Sequence, residues 1–366
     1  MYHNIILCLL FLAFGAFVFL LGFNIYRKLM IINREKKTTS DRKIIFQKIE
    51  KFIDGSELVF KKGLDEFVKD AVTRSKTYRD VVDEYLMYIL GILDIANRDR
   101  YIQIAWRLNF SSDCLEQIRN KKPEISALGC RRAGLYKYRE AIEDMINALE
   151  IISSENQFEI LLALARMGEA NALQRAFIKI KDSILVNERA VIQILASFPK
   201  GEAKLKLFRN MINCGTDYIT ALFLKALGID MAAPLTDDII AALHKGNKDV
   251  RAAAVRSLAV LGKNAPAYEL IKAMEDHEWE VRSLAAKALE VIIKPNASLA
   301  LYKALFDQQW WVRQNAAQSL TNHPGYESLF ILAAESGDEY TKDSIFFILE
   351  KIGNPVLLRS IKIMAA

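Results

Sequence analysis

Three tripeptides, Asp249-Val250-Arg251, Glu280-Val281-Arg282 and Trp311-Val312-Arg313, stand 31 residues apart, and this spacing constrains the fold of the 366-residue chain more than any other feature. A fixed period of this size marks a repeat architecture and has to be settled before any local motif is read. The match runs on downstream. Val250, Ala254 and Leu258 recur as Val281, Ala285 and Leu289, then as Val312, Ala316 and Leu320. A spacing of four within each set places these residues on one face of a helix. Ile219, Phe223 and Leu227 continue the register upstream, and Leu164 with Met167-Gly168 lies about three periods before Leu258 with Leu261-Gly262.

Proline punctuates the units. Pro199, Pro234, Pro266, Pro295, Pro324 and Pro355 follow one another at gaps of 35, 32, 29, 29 and 31. Each follows a predicted first helix and opens a second, where the fixed φ and the missing N–H cost little. With few prolines and glycines and scarce β-branched alternation, the chain reads as all-α. Its 52% hydrophobic content is ample for a core.

The units DHEWEVRSLAAKALEVI and DQQWWVRQNAAQSL resemble the short HEAT repeats first described in phycobilisome lyases: an Asp, an aromatic or Pro, Val-Arg, then small residues and a Leu. The resemblance is clearest over 217–353 and degenerate over 95–216. In the last unit, TKDSIFFILEKIG, it slips by about two residues, as expected of a capping repeat. It implies an α-solenoid, and physical reasoning agrees, because a helix pair of about 31 residues cannot bury its apolar face without stacking on a neighbour. Seven to nine pairs with axes about 8–10 Å apart predict an arc on the order of 70–90 Å with an extended concave surface.

At the other end, Ile5 to Phe23 are 19 uncharged, apolar residues, about 28 Å as a helix and so of membrane-spanning length. No basic n-region precedes the run and no small-residue cleavage site follows, which favours an uncleaved anchor over a signal peptide. The expected organisation is a short external N-terminus (1–4), a transmembrane helix (5–26), a basic juxtamembrane linker (27–43), a helical collar or first solenoid helices (44–94), and the solenoid (95–366). Arg27, Lys28, Arg34, Lys36 and Lys37, with Arg42 and Lys43, face only Glu35 and Asp41 in the linker. The positive-inside rule then places the C-terminal part in the cytoplasm of a single-pass inner-membrane protein, and the first five of these cations would meet lipid headgroups. That linker holds +5 of the net +6, leaving the rest nearly neutral, so no nucleic-acid partner is expected.

Catalytic patterns are missing from the sequence. It has no GxGxxG, GxxxxGK[ST], GxSxG or HExxH. His3, His244, His277 and His323 share no ligand spacing, and Cys8, Cys114, Cys130 and Cys214 form no CxxC pair. Asp237-Asp238 and Asp65-Glu66 are adjacent on helices and diverge by about 100° per residue. No catalytic residue, metal or cofactor is expected, and the chain reads as a non-enzymatic scaffold that docks a protein partner, in a setting such as a cell-envelope or polysaccharide assembly. Fold leaves two alternatives open, since some HEAT-like proteins are DNA glycosylases and others chromophore lyases. Arg251, Arg282 and Arg313 are expected to form a structural ladder with acids such as Asp276 and Asp307. Trp279 and Trp310 recur at one position and are expected to pack at the junction between units. Trp311 stands where sister units keep Glu280 and Asp249, which marks it as a candidate protein contact.

Overall fold

The computed structural model describes residues 41–92, 96–150, 154–180 and 188–364. They form helices joined by short turns, with no strand among them. The chain divides into two compact units, 1–148 and 149–366.

The described part of the first unit contains α1 (41–53), α2 (Glu57–Thr73), α3 (Lys76–Gly91), α4 (Arg98–Arg107), α5 (Phe110–Ile118), α6 (Pro123–Leu135) and α7 (Ile142–Ala148). Apolar residues at helical spacing seal α1 on α2: the Phe52 ring meets Phe60 and Phe67, each at 6.0 Å between centroids. Gly129 lets α6 approach α5 closely. A Cβ there would lie 2.8 Å from both the Gln117 Cβ and the Ile118 amide nitrogen, so the close packing excludes any side chain. A buried network ties three helices of this unit. Arg132 holds Asp83 at 2.9 Å and donates to Gln117 Oε1 at 2.9 Å, and the Tyr136 hydroxyl donates to the same Asp83 carboxylate. Burial lifts the Asp83 carboxyl above its ordinary value in spite of the Arg132 charge. Burial also pushes the Cys114 and Cys130 thiols up to about 12, so both are inert packing groups.

The second unit stacks helix pairs in sequence order. Its first helices are α8 (Ser154–Met167), α10 (Glu188–Ser197), α12 (Asp217–Lys225), α15 (Lys248–Ala259), α17 (Trp279–Ala288), α19 (Trp310–Leu320) and α21 (Glu339–Ile352), and each packs on the next. The second helices are α9 (Ala170–Lys179), α11 (Glu202–Cys214), α14 (Thr236–Lys245), preceded by the single turn α13 (Ile229–Ala232), then α16 (Ala267–Ala273), α18 (Pro295–Ala304), α20 (Tyr326–Glu335) and α22 (Pro355–Met364). From α11 to α20, each second helix packs against the first helix that follows it. This is the two-layered plan of an α-solenoid.

The repeat register explains the stacking. The Val250, Val281 and Val312 sets are all buried at 0–1% exposure, and each Val or Leu so buried contributes about 1.5–3 kcal/mol. Pro295 and Pro355 are the first residues of α18 and α22, and Pro266 immediately precedes α16. In the last unit the buried positions fall to Thr341, Ile345 and Leu349, 29 residues after the Val312 set, so the slip is two residues. Buried hydroxyls donate to carbonyls of earlier units: Ser257 to Leu224 of the preceding first helix, and Thr341 to Leu305 at the end of α18, both at 2.7 Å. His323 is buried with both ring nitrogens satisfied, Nδ1 2.8 Å from Ser298 Oγ and Nε2 3.0 Å from the Leu289 carbonyl. It is a packing histidine.

The expected single-pass placement in an inner membrane is corrected: among the described residues no helix is long and apolar enough to cross a membrane. Among the described residues the longest helix, α2, has 17 residues and mixes charged with apolar side chains, short of the ~20 apolar residues a span needs. The 5–26 segment, and Arg27, Lys28, Arg34, Lys36 and Lys37, lie outside the described residues.

Candidate protein-binding surface

The turn entering each central first helix is fastened by an arginine of the preceding unit. Arg251 donates to Asp276 from Nε and Nη2 at 2.7 and 2.9 Å, and Arg282 does the same to Asp307 at 2.7 and 3.0 Å. The free Nη1 turns back, to the Gly246 carbonyl from Arg251 at 3.0 Å and to the Asp276 and His277 carbonyls from Arg282 at 2.8 and 3.1 Å. The two acids accept in turn from the Glu278 and Gln309 amides, both at 2.8 Å, closing the turn two residues ahead. These paired side chains are only 11–17% exposed, and bidentate geometry adds specificity to energy. Burial raises the Asp276 carboxyl, but the bonds from Arg251 and Glu278 and the Arg251 charge outweigh it, and its pKa falls below the ordinary value. The hydrogen bond to Asp307 raises the Arg282 pKa.

Arg313 breaks the series. It keeps the backward bonds, to the Asp307 and Gln308 carbonyls at 2.8 and 3.0 Å, but its forward partner is the Ser344 hydroxyl at 3.3 Å. The acid 25 residues ahead, Asp338, instead caps α21 by accepting from the Thr341 amide at 2.8 Å. The two-residue slip is the reason. Six residues separate Asp276 from Arg282 and Asp307 from Arg313, but only four separate Asp338 from Lys342, which occupies the arginine place and pairs with Glu339 at 3.1 Å. Asp338 is thereby pulled from the turn onto the helix start.

The same slip brings Tyr340 into the position of Trp311, so this position reads Asp249, Glu280, Trp311, Tyr340 along the stack. It turns from acidic to aromatic at the C-terminal end. Trp310, Trp311, Tyr340 and Phe347 are 44%, 56%, 68% and 51% exposed. The two indoles meet edge to face at 4.6 Å, Trp310 reaches Phe347 of the next unit at 6.3 Å, and the Arg313 guanidinium lies 5.4 Å from the Tyr340 ring. Tyr340 and Phe347 are seven residues apart and share a face of α21.

Trp310 is expected to pack at the junction between units, and it lies there at 44% exposure. It bridges two units, and the rings it touches, Trp311 and Phe347, are themselves exposed. Trp279, its sister, opens α17 at intermediate exposure. The period alone had no way to mark Tyr340 and Phe347, since both are displaced by the slip; the exposed i, i+7 aromatic pair within α21 was the available signal.

A second apolar groove of about 350 Å³ runs between α16 and α18, lined by Ile271, Met274, Leu299 and Phe306 and flanked by Lys303 and Asp307. No cluster of three or more His, Cys, Asp or Glu side chains able to hold a metal occurs among the described residues.

Comparison with known proteins adds one sequence finding. The family model described as HEAT repeats matches residues 236–321, the stretch that carries both arginine–aspartate rungs and the paired tryptophans. No curated protein matches the chain in sequence. Among solved structures, an engineered protein from a structural genomics consortium is 16% identical with a TM-score of 0.35, over 88% of this chain and 96% of that one. A structure of Kap95p, in which its binding induces the switch loops of RanGDP to adopt the GTP-bound conformation, is 12% identical with a TM-score of 0.34, over 86% of this chain and 56% of that one. Residues 236–321 thus carry the HEAT repeat pattern within an all-helical stack.

Proposed function

We propose that this protein is a non-enzymatic scaffold whose C-terminal repeats bind another protein at the surface formed by Trp310, Trp311, Tyr340 and Phe347. The observation that carries this reading is the exposure of three rings in contact, Trp310, Trp311 and Phe347, with exposed Tyr340 on the same helix face as Phe347, on a stack whose repeat positions are otherwise well buried. Apolar surface of this kind, rich in Trp and Tyr, concentrates binding energy at interfaces. The arginine–aspartate rungs serve the scaffold by holding the turns, and so the helix starts, in fixed positions. The near-neutral charge of the chain beyond residue 43 favours a protein over a nucleic acid as the partner. The test compares proteins recovered with the wild-type chain and with Trp311→Ala. One partner specifically lost from the variant, at unchanged thermal stability, supports the reading. Identical recovery by both would remove Trp311 from the interface.

A further inference from the structure

The charges around the aromatic surface specify the chemistry of the partner. On α21, Asp343 stands three residues after Tyr340 and four before Phe347, on the face that carries both rings. It is exposed, and no partner is found for its carboxylate among the described residues. Glu339 is also exposed and shares its charge only with Lys342. Two nearby cations are spent: Arg313 and Lys342 are buried and hydrogen-bonded within the fold. Lys351, a turn beyond Phe347, is exposed, and Glu350 beside it pairs with Lys362 at 3.9 Å. No other charged residue lies on α19. The Tyr340 end of this face therefore presents open π surface beside the Asp343 carboxylate, and the exposed Lys351 stands eight residues from Asp343, beyond Phe347. Arg313 already shows the pairing that such rings favour, lying over Tyr340.

We infer that the partner of this surface, resting on the protein-binding role proposed above, is a segment of a second protein in which arginine or lysine alternates with aliphatic residues. The cation sits between the Asp343 carboxylate and the faces of Tyr340 and Trp311, and the aliphatic residues cover Trp310 and Phe347. A guanidinium suits the place best, because it stacks on rings and bonds a carboxylate at once. A second copy of this chain and an acidic segment are the competing occupants.

The test is selection of binders from a random dodecapeptide library displayed on phage against the intact chain, followed by titration of the enriched peptides by fluorescence polarisation. Enriched sequences are expected to carry a net positive charge beside Leu, Ile or Val. Their affinity should fall about tenfold or more with Trp311→Ala. It should fall about threefold to fivefold with Asp343→Asn, recover with Asp343→Glu, and weaken as salt rises. Circular dichroism melting keeps folding separate from binding. Neutral or acidic peptides that need Trp311 but ignore Asp343→Asn would overturn the charge assignment and leave the binding role standing. Enriched peptides indifferent to Trp311→Ala would overturn both. Dimerisation in sedimentation equilibrium that Trp311→Ala abolishes would assign the surface to a second copy and likewise overturn this inference.

Discussion

Replacing Arg282 by methionine should weaken the C-terminal unit more than any exposed charge substitution. The arginine makes two charge-assisted bonds to Asp307 and two bonds to backbone carbonyls, with its side chain 17% exposed and that of Asp307 13%. Methionine keeps most of the stem's packing but leaves the Asp307 carboxylate and two carbonyls without their donor. Breaking a largely buried pair from one side costs about 3 kcal/mol, at the low end for such pairs because both groups keep some solvent. Asp307→Leu added to Arg282→Met should recover part of the loss, since the stranded charge is then gone. Urea unfolding followed by circular dichroism measures both. Coupling is strongest between neighbouring repeats, so the C-terminal unit should respond first. A loss for Arg282→Met within about 0.5 kcal/mol of zero would class the pair with ordinary surface ion pairs and refute the fastening argument.

Asp276 gives the rung a pH signature. Its folded pKa is depressed below the ordinary 3.8, so its contribution is present above that value and is lost as pH falls through the folded pKa. The stability gap between wild type and Asp276→Asn should accordingly close below pH 3.8, as urea titrations at several pH values would read. Trp310→Ala should cost about 2 kcal/mol, the share of an indole that its half-exposed position buries, measurable as a lowered melting midpoint. Gly129→Ala should destabilise the N-terminal unit by about 2 kcal/mol or more, because α5 has no room to yield; an unchanged melting curve would show the contact to be slack. His323→Ala should lower stability by about 2–3 kcal/mol by stranding the Leu289 carbonyl, again read from unfolding curves.

The middle of the chain was legible because its period is regular. Val250, Val281 and Val312 fix a helical face, and Arg251 and Arg282 sit at one depth of the turn with Asp276 and Asp307 always 25 residues ahead. The third rung was not legible, because it depends on a two-residue shortening that leaves Asp338 present and in spacing while moving it to a helix cap. For Trp310, recurrence at a repeat position marks its place at the junction, while its exposure depends on what the next unit sets beside it. In the N-terminal unit, Asp83, Gln117, Arg132 and Tyr136 come from three different helices with no common spacing. Their network is tertiary, and no periodicity announces it.

Site-specific photo-crosslinking tests the central claim most directly. A benzophenone amino acid placed at position 311, on the aromatic surface, is compared with one at position 268, where Tyr268 is exposed on α16 in the other helix layer. A discrete crosslinked partner is expected from position 311 and not from position 268. Equal crosslinking from both positions, or a product from position 268 alone, would contradict it.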